Sequence, residues 1–122
     1  MIDALRVPDY LEHIQAAIER ILRYTEEMDE AAFASNELVQ DAVIRNLEII
    51  GEASRNIERA DPSFVSRHSQ IEFGSARAMR NALSHGYYKV DLEVVWKTVE
   101  GDLLNLHEQI LDALRGNSGS TP

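Results

Sequence analysis

Apolar residues recur at steps of three and four along most of the chain, which predicts amphipathic helices. The alternation of apolar and polar residues that is typical of half-buried strands is not seen. The first helix is expected to open at Asp9 or a neighbour, with Pro8 just ahead, and to run to about Met28. Its apolar positions are Leu11, Ile14, Ile18, Ile21, Leu22 and Met28.

A second helix is expected after the connector "DEAAFASNE", and Ser35 or Asn36 is expected to cap it. Its main apolar stripe comprises Leu38, Val39, Ala42, Val43, Leu47, Ile50, Ala53 and Ile57. Ile44 and Ile49 lie off this stripe, so the helix is apolar on more than one side. Such a helix is expected to be central in the fold or to pack on a second molecule.

A charged row on the same helix is formed by Arg45, Glu48, Glu52 and Arg55 at steps of three and four. Residues at that spacing are neighbours on a helix surface and can pair. We therefore interpret the row as an ion-pair stripe or a dimer contact rather than as catalytic residues.

The rest of the chain predicts two further helices. Pro62 ends the second helix, and residues 63–74 are expected to be loop or short helical turns. A third helix is expected from about Ser75 to Ser84 or His85, ending near Gly86. Asp91 then caps a fourth, which runs to about Arg115. Its buried side is predicted to comprise Leu92, Val95, Trp96, Val99, Leu103, Leu106, Ile110, Leu111 and Leu114.

These elements predict an all-α, up-and-down bundle of four main helices plus short helical turns. Its length of 122 residues fits a single domain, which we place at residues 1–115. Residues 116–122, "GNSGSTP", have the composition of a flexible C-terminal tail.

The composition narrows the function classes. The chain has no cysteine, and it has neither a signal-peptide pattern at its start nor an apolar run long enough to span a membrane. We therefore expect a soluble, cytoplasmic protein without a thiolate metal site. The net charge of −9 does not favour broad binding of a polyanion such as RNA. It favours a basic protein partner, or simple solubility, and leaves room for a local basic site.

The stretch with the densest chemistry is "RNALSHGYYKVD", which starts at Arg80. One interpretation is structural: His85 would lie at the negative end of a helix dipole, Arg80 would pair with a carboxylate, and the tyrosines would be half-buried. The other interpretation is catalytic. Metal-free RNA cleavage needs a base, an acid and a cation near the phosphate, which a histidine and an arginine can supply.

Helix geometry sets a condition on the catalytic interpretation. Asn81 and His85 lie one turn apart on the same face, whereas Arg80 and His85 are separated by about 140°. On one continuous helix, Arg80 and His85 would not converge. Either the helix ends between them or a second copy of the chain completes the site.

These residues resemble a known family. Arg80, His85 and Tyr87 match the R-x4-H-x-Y signature of HEPN-domain ribonucleases. The surrounding text resembles the HepT (DUF86) branch of that superfamily. The segments that carry this resemblance are "YLEHIQAAIERILRYTE", "QDAVIRNLEIIGEAS", "RNALSHGYYKVDLEVVW" and "DLLNLHEQI". Together they span nearly the whole chain except the tail.

The resemblance implies a specific function. HepT proteins are toxins of toxin–antitoxin modules, type VII-like, that dimerise and cleave RNA without a metal or other cofactor. On this chain the implied catalytic pair is Arg80 and His85, with Asn81 in support. Tyr87 is the implied site of AMPylation by an antitoxin, a minimal nucleotidyltransferase of the MntA type, and the adjacent Tyr88 is the alternative. Related sequences also tend to have a proline-and-tryptophan stretch before the motif helix, where this chain has "SQIEFGSA", and Phe73 is the candidate counterpart of the tryptophan.

The remaining candidates have simpler interpretations. His13, His68 and His107 show no metal-ligand spacing and are expected to be surface or incidental residues, and Trp96 is expected to lie in the core. In a HepT-like fold the charged row on the second helix would border the cleft. Two other functions stay open: a catalytically inactive helical interaction module, and a module that binds nucleotides without cleaving RNA.

Overall fold

The computed structural model describes residues 6–71, 73 and 91–116. Within these ranges it contains six α-helices and no strand: α1 (Val7–Thr25), α2 (Glu30–Ala34), α3 (Glu37–Ala60), α4 (Pro62–Arg67), α5 (Leu92–Lys97) and α6 (Leu103–Leu114). A π-helical turn, Thr98–Asp102, joins α5 to α6. The all-α architecture is therefore confirmed. The helix that was expected from about Ser75 lies outside the described residues.

Both ends of α1 differ from the expected positions. The helix begins at Val7, with Pro8 in its first turn, and the Asp9 carboxylate accepts a 2.9 Å hydrogen bond from the Arg6 backbone N–H. Asp9 therefore stabilises the first turn from inside the helix, where a carboxylate favours the positive end of the dipole. The helix ends at Thr25, and Met28 packs against the core from the turn that follows.

The predicted connector between the first two long helices contains the short helix α2. The Asp29 carboxylate caps it by accepting from the Ala32 N–H at 2.8 Å. Its Phe33 is buried, and the Phe33 ring centroid lies 5.3 Å from that of Trp96. Of the two proposed caps of α3, Asn36 fills the role, since its side-chain oxygen accepts from the Val39 N–H at 3.1 Å.

The core lies where α1 packs along α3, with α6 and the shorter helices completing it. Its most deeply buried apolar side chains include Ile14, Ile18, Ile21, Val43, Ile57, Val95 and Ile110. Trp96 is also buried, as predicted. Leu38, the first residue of the predicted apolar stripe of α3, does not join the core. It is 80% exposed, because it lies in the first turn of α3, before the helix reaches the core. Ile44 and Ile49 are half-buried against the core of their own chain.

One polar contact crosses this core between the two long helices. Arg20 of α1 donates from Nε to the Asn46 side-chain oxygen on α3 at 2.8 Å. Asn46 is 5% exposed, and its amide nitrogen in turn donates to the Ala42 carbonyl at 2.8 Å. Both ends of the Asn46 amide are thus hydrogen-bonded, as a buried amide requires.

The predicted fourth helix is interrupted once. Asp91 caps its start by accepting from the Glu93 N–H at 3.0 Å, as expected. The π-helical turn then shifts the register between α5 and α6. Two sequence features weaken a regular α-helical ladder there: Gly101 has no side chain, and the Thr98 hydroxyl donates to the Val94 carbonyl at 2.9 Å. The helix ends at Leu114, followed by Gly116 at φ 79°.

Candidate functional site

The residues that sequence analysis singled out as the site, Arg80, Asn81, His85, Tyr87 and the alternative Tyr88, lie outside the described residues. The structure describes what precedes and follows them in the chain. It also describes the surfaces that α1 and α3 present.

An aromatic cluster that includes residues of α4 precedes the motif segment, Arg80 to Tyr87, in the chain. Asp61 caps α4 by accepting from the Phe64 N–H at 3.1 Å. A hydrogen bond from the Ser63 hydroxyl, and then the one from Phe64, lowers the pKa of Asp61 below its ordinary value. The buried Phe64 ring lies 6.2 Å from the ring of Phe73, which is 1% exposed. Phe73 is therefore a core residue.

His68 belongs to the same cluster, and the expectation that it is a surface or incidental residue was wrong. Its imidazole is 3% exposed and stacks on the Phe64 ring at a centroid distance of 3.9 Å. Its Nδ1 lies 2.9 Å from the Phe64 carbonyl oxygen. A histidine with a stacked face and a satisfied ring nitrogen has a packing role, which the sequence spacing did not indicate.

The first described element after the motif segment is α5. Asp91 fixes the first turn, and Val95 and Trp96 follow in the core at 1% and 5% exposure. In the sequence, the segment that carries Arg80 and His85 therefore lies between the buried Phe73 and the helix cap Asp91.

A groove of about 290 Å³ lies between α1 and α3. Its polar lining comprises His13, Arg45, Glu48, Glu52 and Asn56, and its apolar lining comprises Ile49 and Ala53. Three members of the predicted charged row therefore line one concave surface. The Arg45–Glu48 ion pair of this row is loose: Arg45 Nη1 lies 3.9 Å from Glu48 Oε1, and the two side chains are 71% and 31% exposed. His13 was expected to be incidental, because its position opposite this row depends on how the helices pair.

A second concavity of about 280 Å³ is lined mainly by aliphatic side chains where α1 begins and α6 ends. Asp61, the one carboxylate among the described residues that line it, is already engaged in capping α4. This surface therefore offers little for catalysis.

His107 is also more than incidental, since it joins α6 to α1. Its Nε2 lies 3.0 Å from Glu19 Oε2, and the side chains are 21% and 46% exposed. The hydrogen bond from His107, followed by one from Gln15, lowers the pKa of Glu19 below its ordinary value. No group of three or more metal-ligating side chains occurs among residues 6–71, 73 and 91–116. In the same ranges, no helix is both long and apolar enough to cross a membrane.

The fold and the motif together define a class: small all-α domains with an R-x4-H-x-Y signature late in the chain. The sequence profile of the family described as "Ribonuclease HepT-like" matches residues 14–113. That range covers most of the chain and includes Arg80 to Tyr87. The chain belongs to the HepT-like ribonuclease family, and its fold is an all-α, HEPN-like bundle. The resemblance drawn from the sequence is thus confirmed.

Individual relatives agree with this assignment. A Thermococcus cleftensis protein named "Probable ribonuclease HepT" is 45% identical over 98 residues, which is 80% of this chain and 86% of the relative. A Methanocaldococcus jannaschii protein named as a gamma-glutamylcyclotransferase and "putative RNase" is 39% identical over 84% of this chain, but the match covers 45% of that protein. A Caldanaerobacter subterraneus protein named a "putative RNase" is 29% identical over 87% of this chain and 92% of the relative. A search of solved structures finds no match.

Proposed function

We propose that this chain is the toxin of a type VII-like toxin–antitoxin module, and that it is a metal-independent endoribonuclease acting in the cytoplasm. The observation that carries the proposal is the family match over residues 14–113, which contains the complete R-x4-H-x-Y signature. Membership of a ribonuclease family makes RNA the expected substrate. It also makes the catalytic interpretation of Arg80 and His85 the stronger of the two.

The proposed chemistry is an internal transesterification. The 2′-hydroxyl of a ribose loses its proton to a base and attacks the adjacent phosphorus. The bond to the 5′-oxygen breaks, and an acid protonates that leaving oxygen, which leaves a cyclic 2′,3′-phosphate and a free 5′-hydroxyl. His85 is suited to this proton transfer because imidazole titrates near neutral pH. Arg80 stabilises the charge on the phosphate, and Asn81 orients the imidazole or donates to the phosphate.

The active form in this proposal is a homodimer. On a continuous helix Arg80 and His85 would point about 140° apart, so a cleft shared by two chains would bring the guanidinium of one chain near the imidazole of the other. The two motifs would then line one groove wide enough for a ribose–phosphate link.

The antitoxin in this proposal is an MntA-type minimal nucleotidyltransferase that modifies Tyr87. The tyrosine hydroxyl oxygen attacks the α-phosphorus of ATP, pyrophosphate leaves, and the phenolic proton is lost to a base. The attached AMP is bulky and anionic. Next to Arg80 and His85, the AMP would fill the space of the substrate phosphate and pair with the Arg80 guanidinium in its place.

Intact-mass spectrometry after co-expression with the antitoxin tests the proposal. We expect species heavier by whole AMP units, and we expect them to be absent from Tyr87→Phe but present in the matched control Tyr88→Phe. The reverse pattern would move the modification to Tyr88. An unmodified wild-type chain would overturn the antitoxin part of the proposal.

A catalytically inactive interaction module is the second candidate, and the net charge of −9 favours it, because an acidic surface attracts a basic protein better than RNA. Growth inhibition on expression separates the two. The enzyme proposal expects His85→Ala to abolish inhibition, whereas inhibition by a folded His85→Ala chain would support the interaction module. Nucleotide binding without cleavage would instead give saturable ATP binding that depends on Arg80.

A further inference from the structure

The groove between α1 and α3 has a charge pattern that suits a base better than a phosphate. Among the described residues, its lining includes the Arg45 guanidinium next to the Glu48 carboxylate, and the Glu52 carboxylate, which takes part in another interaction. Like charges are destabilising when close, so a phosphate bound by Arg45 would be repelled by the neighbouring Glu48. A neutral ligand that offers both hydrogen-bond donors and acceptors would satisfy Arg45 and Glu48 together.

Guanine is the nucleobase that matches such a pair of side chains. Its N1–H and its 2-amino group are adjacent donors, which the two oxygens of one carboxylate can accept together. Its O6 and N7 are adjacent acceptors, which an arginine fork can bind in a bidentate manner. Adenine, cytosine and uracil each place an acceptor next to their donor, so a carboxylate would bind one atom and be repelled by its neighbour.

We propose that the α1–α3 groove binds a guanine base of the RNA, with Glu48 accepting from N1–H and the 2-amino group and Arg45 donating to O6 and N7. The two side chains lie side by side, as O6 and N1–H do on the base. The distance of 3.9 Å between Arg45 Nη1 and Glu48 Oε1 exceeds a hydrogen-bond distance. Little interaction energy is therefore lost when both side chains bind a ligand instead of each other.

The remaining walls suit a flat aromatic ligand. Ile49 and Ala53 give the groove an apolar surface, and its volume of about 290 Å³ can admit a purine. His13 on α1 provides an aromatic ring on the opposite side, on which a base can stack. The rings of Tyr10 and His13 form a T-shaped pair at a centroid distance of 6.1 Å and an interplanar angle of 83°, and this contact restricts the imidazole.

This inference rests on the proposed function, since it names the base that the ribonuclease would prefer. Binding can nevertheless be measured without cleavage. The probes are guanosine 5′-monophosphate and inosine 5′-monophosphate, which differ only in the 2-amino group, titrated into the ¹⁵N-labelled His85→Ala chain. We expect guanosine monophosphate to shift amide signals of α3 near Arg45 and Glu48 saturably, and to bind about tenfold or more tightly than the inosine form.

Glu48→Gln is the decisive variant, because it keeps the side-chain size and replaces one accepting oxygen by a donor. We expect it to remove the preference for guanosine monophosphate, whereas the matched control Asp41→Asn, an exposed carboxylate of α3 outside the groove, should keep it. Equal binding of both probes by the His85→Ala chain, or a preference unchanged in Glu48→Gln, would overturn the inference.

Cleavage of RNAs with and without guanine separates this inference from the proposed function. A Glu48→Gln chain that still cleaves RNA but has lost selection for guanine supports both. A wild-type chain that cleaves RNA with no guanine preference overturns the groove assignment alone. A dimer that dissociates in Glu48→Gln, without any change in base preference, would instead make the groove an interface between two copies.

Discussion

Among single residues, Asn46 joins the two long helices through a side chain that is only 5% exposed. Replacing it by alanine removes the acceptor of the Arg20 Nε–H and leaves that donor part-buried without its partner. We expect Asn46→Ala to lower the free energy of unfolding by about 1–3 kcal/mol, measured by urea denaturation. The matched control is Asn105→Ala on the exposed side of α6, which should change it by no more than about 0.5 kcal/mol. Equal effects of the two variants would mean that the Arg20–Asn46 contact adds no stability.

The contact between Glu19 and His107 predicts a pH-dependent contribution to stability. The folded state lowers the pKa of Glu19 below its ordinary value of 4.5, so the contribution is present above pH 4.5 and is lost as the pH falls through the folded-state pKa. Because both side chains are partly exposed, we expect it to be less than about 1 kcal/mol. The measurement is the difference in unfolding free energy between wild type and Glu19→Gln at pH 7 and at pH 3.5. The control is Glu12→Gln, which should not show this pH-dependent difference. A difference between wild type and Glu19→Gln that is larger at pH 3.5 than at pH 7, or an equal effect of Glu12→Gln, would contradict the prediction.

Local chemistry made some residue roles predictable and left others hidden. Asn36 and Asp91 were identified as helix caps because the preference for their side chains at that position depends only on neighbouring backbone N–H groups. The burial of His68 could not be read from the sequence, because it depends on stacking with Phe64 after α4 has formed.

At the scale of helices, opposite effects are expected for alanine at the two glycines that flank α6, Gly101 before it and Gly116 after it. Gly101 lies in the π-helical turn, and an added Cβ would meet no atom within 4 Å. We expect Gly101→Ala to raise the free energy of unfolding by about 0.5–1 kcal/mol, because glycine loses more backbone entropy on folding. Gly116 has a φ of 79°, where alanine is strained, so Gly116→Ala should lower it by about 1–2 kcal/mol.

Urea midpoints of the two alanine variants, measured side by side, check both signs, and each variant is the control for the other. Stabilisation by both would show that Gly116 does not need its left-handed conformation. Destabilisation by Gly101→Ala would show that the π-helical turn needs a glycine.

Helix periodicity predicted the long elements but missed the short interruptions. The spacing of apolar residues predicted the existence of α1 and α3 correctly, because a helix that buries one face needs apolar residues at the helical period. The short helix α2 was taken for a connector, since five residues are too few to show a period. The register shift between α5 and α6 was also missed, because an inserted residue leaves most apolar positions still close to the buried side.

At the scale of the whole molecule, the account requires two chains for one site. The expected mass by light scattering is about twice 13.8 kDa. Arg80→Ala and His85→Ala chains should each be inactive alone. Co-expressed, they should recover part of the RNA cleavage, because a mixed dimer keeps one intact Arg80 facing one intact His85. A monomeric active enzyme, or mixed dimers as inactive as the single variants, would contradict a shared cleft.

The sequence determines the class of the molecule more clearly than its surfaces. The all-α bundle follows from periodicity, which is a local property of the sequence. The family was identified through the resemblance of four segments that span nearly the whole chain, together with the R-x4-H-x-Y signature. The α1–α3 groove was not predicted, because it exists only once His13 and the charged row of α3 face each other across paired helices. A single sequence does not reveal which helix faces meet.

The most direct test of the central claim is the rate at which purified protein cleaves a fluorescently labelled single-stranded RNA, with EDTA present. The account predicts that His85→Ala, at equal folding by circular dichroism, loses about 10²–10⁴-fold in rate. The control His107→Ala, on α6, should keep a rate close to that of the wild type. Cleavage by His85→Ala at the wild-type rate would contradict the claim that His85 performs the chemistry.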